Sequence, residues 1–186
     1  MTVGRLAAGK AIDLTLRAMA SSKILRGCKL TVVGDWQERA NLEAIIREQG
    51  LEDVVELVGW LDQTSVSAQL RLSQAFVFPS LKEFGGGVVM ESMSAGLPSI
   101  VCDYGGPGEI ISPETGFRLP LVPPDELIPS IRAAMERLAT DHSLCAAMGE
   151  AALKQVREEF LWSAKAEKFV DIYHAVTQSR RHLITS

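Results

Sequence analysis

The sequence contains few cysteines and histidines, and they are widely separated. Its three cysteines, Cys28, Cys102 and Cys145, form neither a CxxC pair nor a zinc-binding spacing. An odd number of cysteines with no such spacing is typical of buried thiols in a reducing compartment. The three histidines have no cysteine or acidic neighbour at metal-ligand spacing. We therefore expect a cytoplasmic protein with no disulfide framework and no bound metal.

Long apolar runs and an excess of positive charge are also missing. No apolar run approaches the roughly 20 residues that a membrane span requires, and Arg5 and Lys10 interrupt the stretch where a signal peptide would be apolar. The formal net charge is −4, and no run of Lys and Arg opposes it. We therefore expect no nucleic-acid partner.

The remaining composition is that of an ordinary globular domain, because 47% of the 186 residues are hydrophobic and 23% are charged. Short apolar runs typical of buried strands alternate with amphipathic helix patterns. This alternation predicts an α/β fold, a Rossmann-like doubly wound parallel sheet of about six strands with helices on both faces. We expect one domain over residues 1–178 and a frayed tail over residues 179–186. The predicted strands are 1–3, 30–34, 54–58, 76–79, 99–102 and 116–119, and the principal predicted helices are 10–21, 38–49, 64–73, 125–138, 142–159 and 162–178.

The first strand pattern begins at Met1 itself. Because a domain rarely starts inside a core strand, we expect either an excised domain or a chain whose first half is absent.

The most informative segment joins a buried strand to an amphipathic helix through three consecutive glycines. Glycines permit close approach to the backbone, and the first amides of a helix have no partner within it, so this loop offers donors to phosphate oxygens. Two glutamates bracket the glycines. Like charge excludes them as phosphate ligands, which leaves them suited to accept hydrogen bonds from hydroxyl groups. The segment reads Glu83-Phe84-Gly85-Gly86-Gly87-Val88-Val89-Met90-Glu91.

Amides for phosphate and carboxylates for hydroxyls suit a nucleotide sugar. The segment resembles the paired-glutamate motif of glycosyltransferase family 4 (group 1), whose members are retaining enzymes with the GT-B fold. The resemblance extends over roughly residues 3–176 and covers the carboxy-terminal, donor-binding half of such an enzyme. It implies a hexosyltransferase of polysaccharide biosynthesis that uses a UDP-, GDP- or ADP-sugar and no metal. The implied acceptor is a glycan, a lipid or a small molecule.

The resemblance also implies roles for the residues of this motif. The glutamate that matches Glu91 holds the ribose hydroxyls, and the one that matches Glu83 contacts the donor sugar or stabilises positive charge at its anomeric carbon. On steric grounds we expect Gly86 and Gly87 to be the least replaceable of the glycines. Members of the family use a run of backbone amides to bind sugar hydroxyls and the distal phosphate. The matching amides in this sequence are those of Phe84, Gly85, Gly86, Gly87 and Val88.

Two basic residues follow the first strand. In the family, the arginine and lysine that match Arg5 and Lys10 neutralise the diphosphate, and fixed cations are suited to stabilise the charge that a leaving diphosphate gains. Ala11 stands where the family commonly has glycine, which predicts a slightly altered turn. Trp60, at the end of the third strand, is a candidate to stack on the nucleobase, although a packing role stays open.

Two other glycine turns are similar to turns of the family. The Gly34-Asp35 turn borders the predicted nucleotide crevice, and we expect it to be mostly structural. The segment 103–111 contains Gly105 and Gly106, and we expect it mainly to support the loop that carries the motif.

Several alternatives stay in view. One is a stand-alone nucleotide-sugar binding module or subunit without catalysis, and another is a GT-B epimerase or phosphorylase. A dinucleotide oxidoreductase is disfavoured because the loop 4–10 lacks GxGxxG spacing. A glycosidase pair of glutamates is disfavoured because glycosidases need no phosphate site.

Expectations about partners follow from the missing half. We expect an amino-terminal GT-B domain to supply the acceptor pocket, and the isolated chain to be inactive without it. A homo-oligomer and peripheral association of the full enzyme with the inner membrane face stay open.

Overall fold

The computed structural model describes the backbone of residues 1–184 and the side chains of residues 1–177. The tail 179–186, predicted above to be frayed, lies outside the residues whose side chains are described. The strands are Thr2–Val3 (β1), Leu30–Val33 (β2), Val55–Gly59 (β3), Phe76–Phe78 (β4), Ser99–Cys102 (β5) and Gly116–Leu119 (β6). The helices are Ile12–Ala20 (α1), Arg39–Glu48 (α2), Gln63–Arg71 (α3), Gly87–Ser94 (α4), Gly105–Ile110 (α5), Pro124–Thr140 (α6), His142–Gln155 (α7) and Trp162–Ile184 (α8).

The chain divides into two compact units, residues 1–153 and 154–186. The first unit contains all of the strands given above together with α1 to α6 and most of α7. The second contains a π-helical segment, Val156–Phe160, followed by α8. Among the residues that the structure describes, no helix combines the length and the apolar composition needed to cross a membrane.

The strands form two three-stranded parallel sheets, with the orders β1-β2-β3 and β4-β5-β6. The predicted α/β fold with six parallel strands and flanking helices is therefore confirmed, with the difference that the strands form two sheets of three rather than one sheet of six. The backbone of Met1 forms hydrogen bonds between the two sheets. Its amino group donates a hydrogen bond to the Ala75 carbonyl oxygen at 2.8 Å, and the Val77 N–H donates to the Met1 carbonyl oxygen at 2.9 Å. These bonds place β1 beside β4, so that the strands lie in the order β3-β2-β1-β4-β5-β6.

Helix α1 packs into both halves of this arrangement. Its residues Ile12, Leu16 and Met19 lie in a buried cluster with side chains of α2, β2 and β3. Leu14 and Ala18 lie in a second cluster with side chains of α6, β4 and β5. Helix α1 therefore links the cores of the two sheets. Each fully buried Leu, Ile or Met side chain stabilises the fold by roughly 1.5–3 kcal/mol.

The turn before α1 contains an unusual residue. Ala11 has φ 52° and ψ 35°, the left-handed conformation that glycine adopts more readily. Its methyl group is nonetheless buried against the second cluster. The left-handed conformation costs about 1–2 kcal/mol, and burial of the methyl group recovers part of that cost.

All strands run in the same direction, so their carboxyl ends meet at one edge of the sheets, where ligands of such folds bind. Gly34, just after β2, lies there in close contact with the loop after β1. A Cβ at this position would lie 1.9 Å from the Gly4 carbonyl oxygen, and Gly34 has φ +139°. Only glycine therefore permits this approach of the two loops.

The buried amino group of Met1 predicts a pH-dependent stability. Burial lowers the pKa of this amino group from 8.0 to about 5. Between these values the unfolded chain binds a proton that the folded chain does not, so stability rises from pH 5 to pH 8 and is lost as the pH falls. We expect the free energy of unfolding, measured by urea denaturation, to rise by up to roughly 4 kcal/mol across this range.

The matched control is the same chain acetylated at Met1, which has no amino group to titrate. The difference in unfolding free energy between the two chains isolates this contribution. A difference that stays constant from pH 5 to pH 8 would contradict the prediction.

Candidate functional site

Lys10 and Glu83 form an ion pair at the carboxyl edge of the strands. The Lys10 Nζ lies 2.5 Å from Glu83 Oε2, and the two side chains are 19% and 21% exposed. Lys10 lies in a 3-10 turn after β1, and Glu83 lies in the loop after β4. The Nζ also lies 5.2 Å from the centroid of the Phe78 ring. The pair therefore connects two loops that are distant in sequence, and it is largely shielded from solvent.

The Glu83 carboxylate is held in its ionised form. Burial raises its pKa, but the hydrogen bond and the charge of Lys10 and the backbone amides of Phe84 and Gly86 together outweigh that effect. The resulting pKa lies below the usual value for glutamate. Because Oε2 faces Lys10 and Oε1 accepts the Phe84 N–H at 3.0 Å, Glu83 is a fixed anion at neutral pH.

Backbone contacts also hold these two loops together. The Leu81 N–H donates to the Gly9 carbonyl oxygen at 2.8 Å, and the Ser80 hydroxyl donates to the same oxygen at 3.2 Å. A Cβ at Gly9 would lie 3.2 Å from the Lys82 Cβ. The position of Lys10 relative to Glu83 is therefore set by the main chain as well as by the ion pair.

Gly86 and Gly87 differ in how much space surrounds them. Gly86 is the N-cap of α4 with φ 66°, and a Cβ there would lie 3.0 Å from the Pro107 Cδ. The steric expectation is therefore confirmed for Gly86. It is wrong for Gly87, because a Cβ there would meet no heavy atom within 4 Å. Gly87 is the first residue of α4, and its Cα faces open space.

The first two backbone amides of α4 form no hydrogen bond within the described residues. The N–H groups of Val89 and Met90 both point to the Gly86 carbonyl oxygen, at 2.9 and 3.4 Å. Those of Gly87 and Val88 have no acceptor within the described residues. They are the donors that a helix amino terminus offers to an anionic oxygen.

The glycine turn after β5 supports the loop that contains Glu83. The Gly106 N–H donates to the Phe84 carbonyl oxygen at 2.9 Å. Gly105 has φ +57°, and a Cβ there would lie 2.4 Å from the Glu83 carbonyl oxygen. The supporting role predicted for this turn is confirmed. It fixes the backbone of Phe84, although the side chain of Phe84 is 97% exposed.

Glu91 lies beside the loop between β3 and α3. It is exposed on α4, and its Oε1 accepts a hydrogen bond from Gln63 Nε2 at 3.3 Å. Gln63 begins α3, whose N-cap is Asp62, and Trp60 precedes them with its side chain 76% exposed. The sequence analysis missed Gln63. Its place in the first turn after Trp60 was the only signal, and it does not reveal a partner on α4.

Arg5 contacts an aromatic ring, whereas Lys10 is paired with a carboxylate. Its guanidinium carbon lies 5.3 Å from the centroid of the Trp36 ring. Within the described residues, no hydrogen bond or ion pair joins Arg5 to Lys10 or Glu83. The sequence analysis missed Trp36, although a tryptophan directly after the Gly34-Asp35 turn was a visible signal.

Residues 1–177 contain no group of three or more His, Cys, Asp or Glu side chains that is placed to bind a metal ion. The three cysteines are free thiols. Burial raises the pKa of Cys102 to about 11, so its thiol is protonated and unsuited to nucleophilic attack at neutral pH.

The chain is similar to several sugar-transferring proteins. It is 30% identical over 175 residues to the alpha-D-kanosaminyltransferase of Streptomyces kanamyceticus, a match that spans 94% of this chain and 45% of that protein. It is 28% identical over 181 residues to the glycogen synthase of Mycobacterium tuberculosis, a match that spans 96% of this chain and 43% of that protein. The chain thus spans less than half the length of these curated relatives.

Solved structures show the same fold. The pneumococcal O-GlcNAc transferase GtfA, solved in complex with UDP and GlcNAc, matches with a TM-score of 0.80 and 26% identity, over 95% of this chain and 35% of that one. Sucrose-phosphate synthase from Thermosynechococcus elongatus matches with a TM-score of 0.76 and 25% identity, over 96% of this chain and 45% of that one. The first unit is therefore a Rossmann-like half of a GT-B glycosyltransferase fold.

A family model agrees with these pairwise similarities. The model described as glycosyl transferases group 1 matches residues 1–155, which is most of the chain and includes every residue of the candidate site. The chain therefore belongs to the family of glycosyl transferases group 1.

Proposed function

We propose that this chain is the carboxy-terminal, donor-binding domain of a retaining glycosyltransferase of family 4. The complete enzyme transfers a hexosyl group from a nucleotide diphospho-sugar to a glycan, a lipid or a small-molecule acceptor. One observation carries the proposal: the half-buried Lys10–Glu83 pair lies in the loops next to the unused amides of α4. This arrangement offers positive charge, a carboxylate and helix amides at one edge of the sheets.

The diphosphate is the ligand group that uses most of these elements. The N–H groups of Gly87 and Val88 donate to phosphate oxygens, and Arg5 and Lys10 supply the positive charge. When the bond between the sugar and the diphosphate breaks, the leaving diphosphate keeps the electron pair. Its added negative charge is stabilised by these fixed groups, with no metal ion required.

The two glutamates bind hydroxyl groups of the donor. When Lys10 turns to a phosphate oxygen, Glu83 Oε2 becomes free to accept a hydrogen bond from a sugar hydroxyl. Glu91 accepts from the ribose hydroxyls, and Gln63 holds its carboxylate in place. The exposed ring of Trp60, on the loop next to Glu91, stacks on the nucleobase. The donor thus lies along the carboxyl ends of β3, β1 and β4.

The acceptor binds to another domain of the complete enzyme. The relatives named above are more than twice as long as the segments that this chain matches, and an amino-terminal domain supplies the acceptor pocket. In the retaining reaction, the acceptor oxygen bonds to the anomeric carbon on the face from which the diphosphate leaves, and the hydroxyl proton of the acceptor passes to an oxygen of the departing diphosphate.

The free cysteines support the expected cytoplasmic location, since thiols persist in reducing compartments.

Titration calorimetry with UDP-glucose, UDP-N-acetylglucosamine, GDP-mannose and ADP-glucose tests the donor site. We expect donors of one nucleotide to bind. The Glu91→Ala variant should bind that donor about tenfold or more weakly, because it loses hydrogen bonds to a charged acceptor. Glu52→Ala is the matched control, since Glu52 is exposed before β3, at the opposite edge, and its loss should leave affinity unchanged.

Two outcomes would contradict the proposal. One is that no donor binds to the folded chain, and the other is that Glu91→Ala and Glu52→Ala behave alike. We also expect no transfer of sugar by the isolated chain, and turnover with a glycan acceptor would show that the second domain is unnecessary.

The ion pair predicts that Glu83 affects nucleoside diphosphates and nucleotide sugars differently. Glu83→Gln removes the charge that neutralises Lys10, so the matching nucleoside diphosphate should bind up to about fivefold more tightly. The nucleotide sugar should gain less, because a glutamine accepts sugar hydroxyls less strongly than a carboxylate does. The measured quantity is the affinity for the nucleotide sugar divided by the affinity for the nucleoside diphosphate, and this ratio should fall in Glu83→Gln. Glu52→Gln changes net charge equally and should leave that ratio unchanged, whereas an unchanged ratio in Glu83→Gln would refute the role of the pair.

A further inference from the structure

The loops after β1 and β2 are fixed to each other by their backbones. The Leu6 N–H donates to the Asp35 carbonyl oxygen at 3.2 Å, and the Glu38 N–H donates to the Leu6 carbonyl oxygen at 3.0 Å. The close approach of Gly34 to the Gly4 carbonyl oxygen, which leaves no space for a side chain, adds to these bonds. The residues that these loops carry toward the carboxyl edge therefore have a defined separation.

Arg5 lies on the loop after β1 and Trp36 lies on the loop after β2, and the two side chains contact each other. The guanidinium carbon lies 5.3 Å from the ring centroid, within the distance for cation–π attraction. The backbone of Trp36 is held on both sides, since its N–H donates to Asp35 Oδ1 at 2.8 Å and its carbonyl oxygen accepts the Arg39 N–H at 3.1 Å. The backbone that carries the Trp36 ring is thus held in place, and the guanidinium lies over that ring.

This contact leaves the charge of Arg5 available, unlike that of Lys10. The ammonium of Lys10 is paired with the Glu83 carboxylate at 2.5 Å. Arg5 forms no ion pair among the residues that the structure describes. An aromatic face attracts a cation without neutralising it, and a guanidinium over a ring keeps its N–H groups free to form hydrogen bonds with phosphate oxygens. Arg5 is therefore the cation that is ready for an anion before any pair is broken.

We propose that Trp36 is a positioning residue that holds the Arg5 guanidinium in place for the diphosphate of the donor. The inference rests on the proposed function, because it requires that Arg5 binds the diphosphate. Trp36 acts through Arg5 and does not contact the nucleotide. Trp60, on the next strand end, is the tryptophan available to the nucleobase.

A double-mutant cycle tests this role. UDP, GDP and ADP are titrated into the wild-type chain, and the tightest binder becomes the probe for Arg5→Ala, Trp36→Ala and the double variant. We expect Trp36→Ala to weaken probe binding about three- to tenfold when Arg5 is present. In the Arg5→Ala background it should have no further effect, because the ring then has no guanidinium to hold. Trp36→Phe keeps an aromatic face and should restore most of the affinity.

The control is Trp162→Ala, which removes a tryptophan that is 87% exposed and lies outside the residues that the family model matches. This variant should bind the probe with the affinity of the wild-type chain. A second readout uses the wild-type chain alone. The NMR resonance of the Arg5 Nε–H proton should be shifted upfield by the Trp36 ring current. An unshifted resonance would overturn the proposal even if Trp36→Ala failed to fold.

The outcomes separate this inference from the proposed function. If Arg5→Ala weakens probe binding and Trp36→Ala does not, the donor site stands and the positioning role is overturned. If Trp36→Ala weakens binding equally with and without Arg5, the tryptophan contacts the nucleotide directly, and the positioning role is again overturned. If no nucleoside diphosphate binds to the wild-type chain, both proposals fall.

Discussion

The backbone hydrogen bond from Leu81 to Gly9 fixes the distance between the loops after β1 and β4, and the candidate site depends on that distance. Parallel strands bring these loops to the same edge, but they do not by themselves set the spacing of side chains. The Leu81 bond does so for Lys10 and Glu83. A corresponding bond from Leu6 to Asp35 does so for Arg5 and the loop after β2. The short loop after β1 is thus held from both sides, and it contains both basic residues of the site.

The positive charge of Lys10 is balanced within the protein itself. The Glu83 carboxylate occupies Lys10 in the way that a phosphate oxygen would, so a largely buried ammonium is never without a counter-charge. In the proposed function, a diphosphate oxygen replaces the Glu83 carboxylate at Lys10, and Glu83 is then free to accept hydroxyl groups. Arg5 and the amides of Gly87 and Val88 need no such exchange, because none of them is paired with a carboxylate among the described residues. The proposal thus combines donors that are available at once with an ion pair that opens on binding.

Local sequence patterns were sufficient to predict much of the fold, because apolar strands such as β2 and β5 and the helix faces of α1 and α2 each depend on neighbouring residues. The role of Gly86 was also predictable, since it follows from the turn between a strand and a helix. The grouping of the strands into two three-stranded sheets was not predictable, because it is set by hydrogen bonds between strands that are distant in sequence. The contacts of Gln63 with Glu91 and of Trp36 with Arg5 were not predictable either. They join segments that only the folded chain brings together.

Amide chemical-shift mapping tests the central claim most directly. The claim is that a nucleotide diphosphate binds at the carboxyl edge and uses the helix amides of α4. Two-dimensional ¹H–¹⁵N spectra of the labelled chain are recorded with increasing UDP, GDP or ADP. We predict that the largest shifts belong to the amides of Gly85, Gly86, Gly87 and Val88, with smaller shifts at Arg5 and Lys10. Shifts confined to the opposite edge of the sheets, or none in a folded chain at millimolar nucleotide, would contradict the claim.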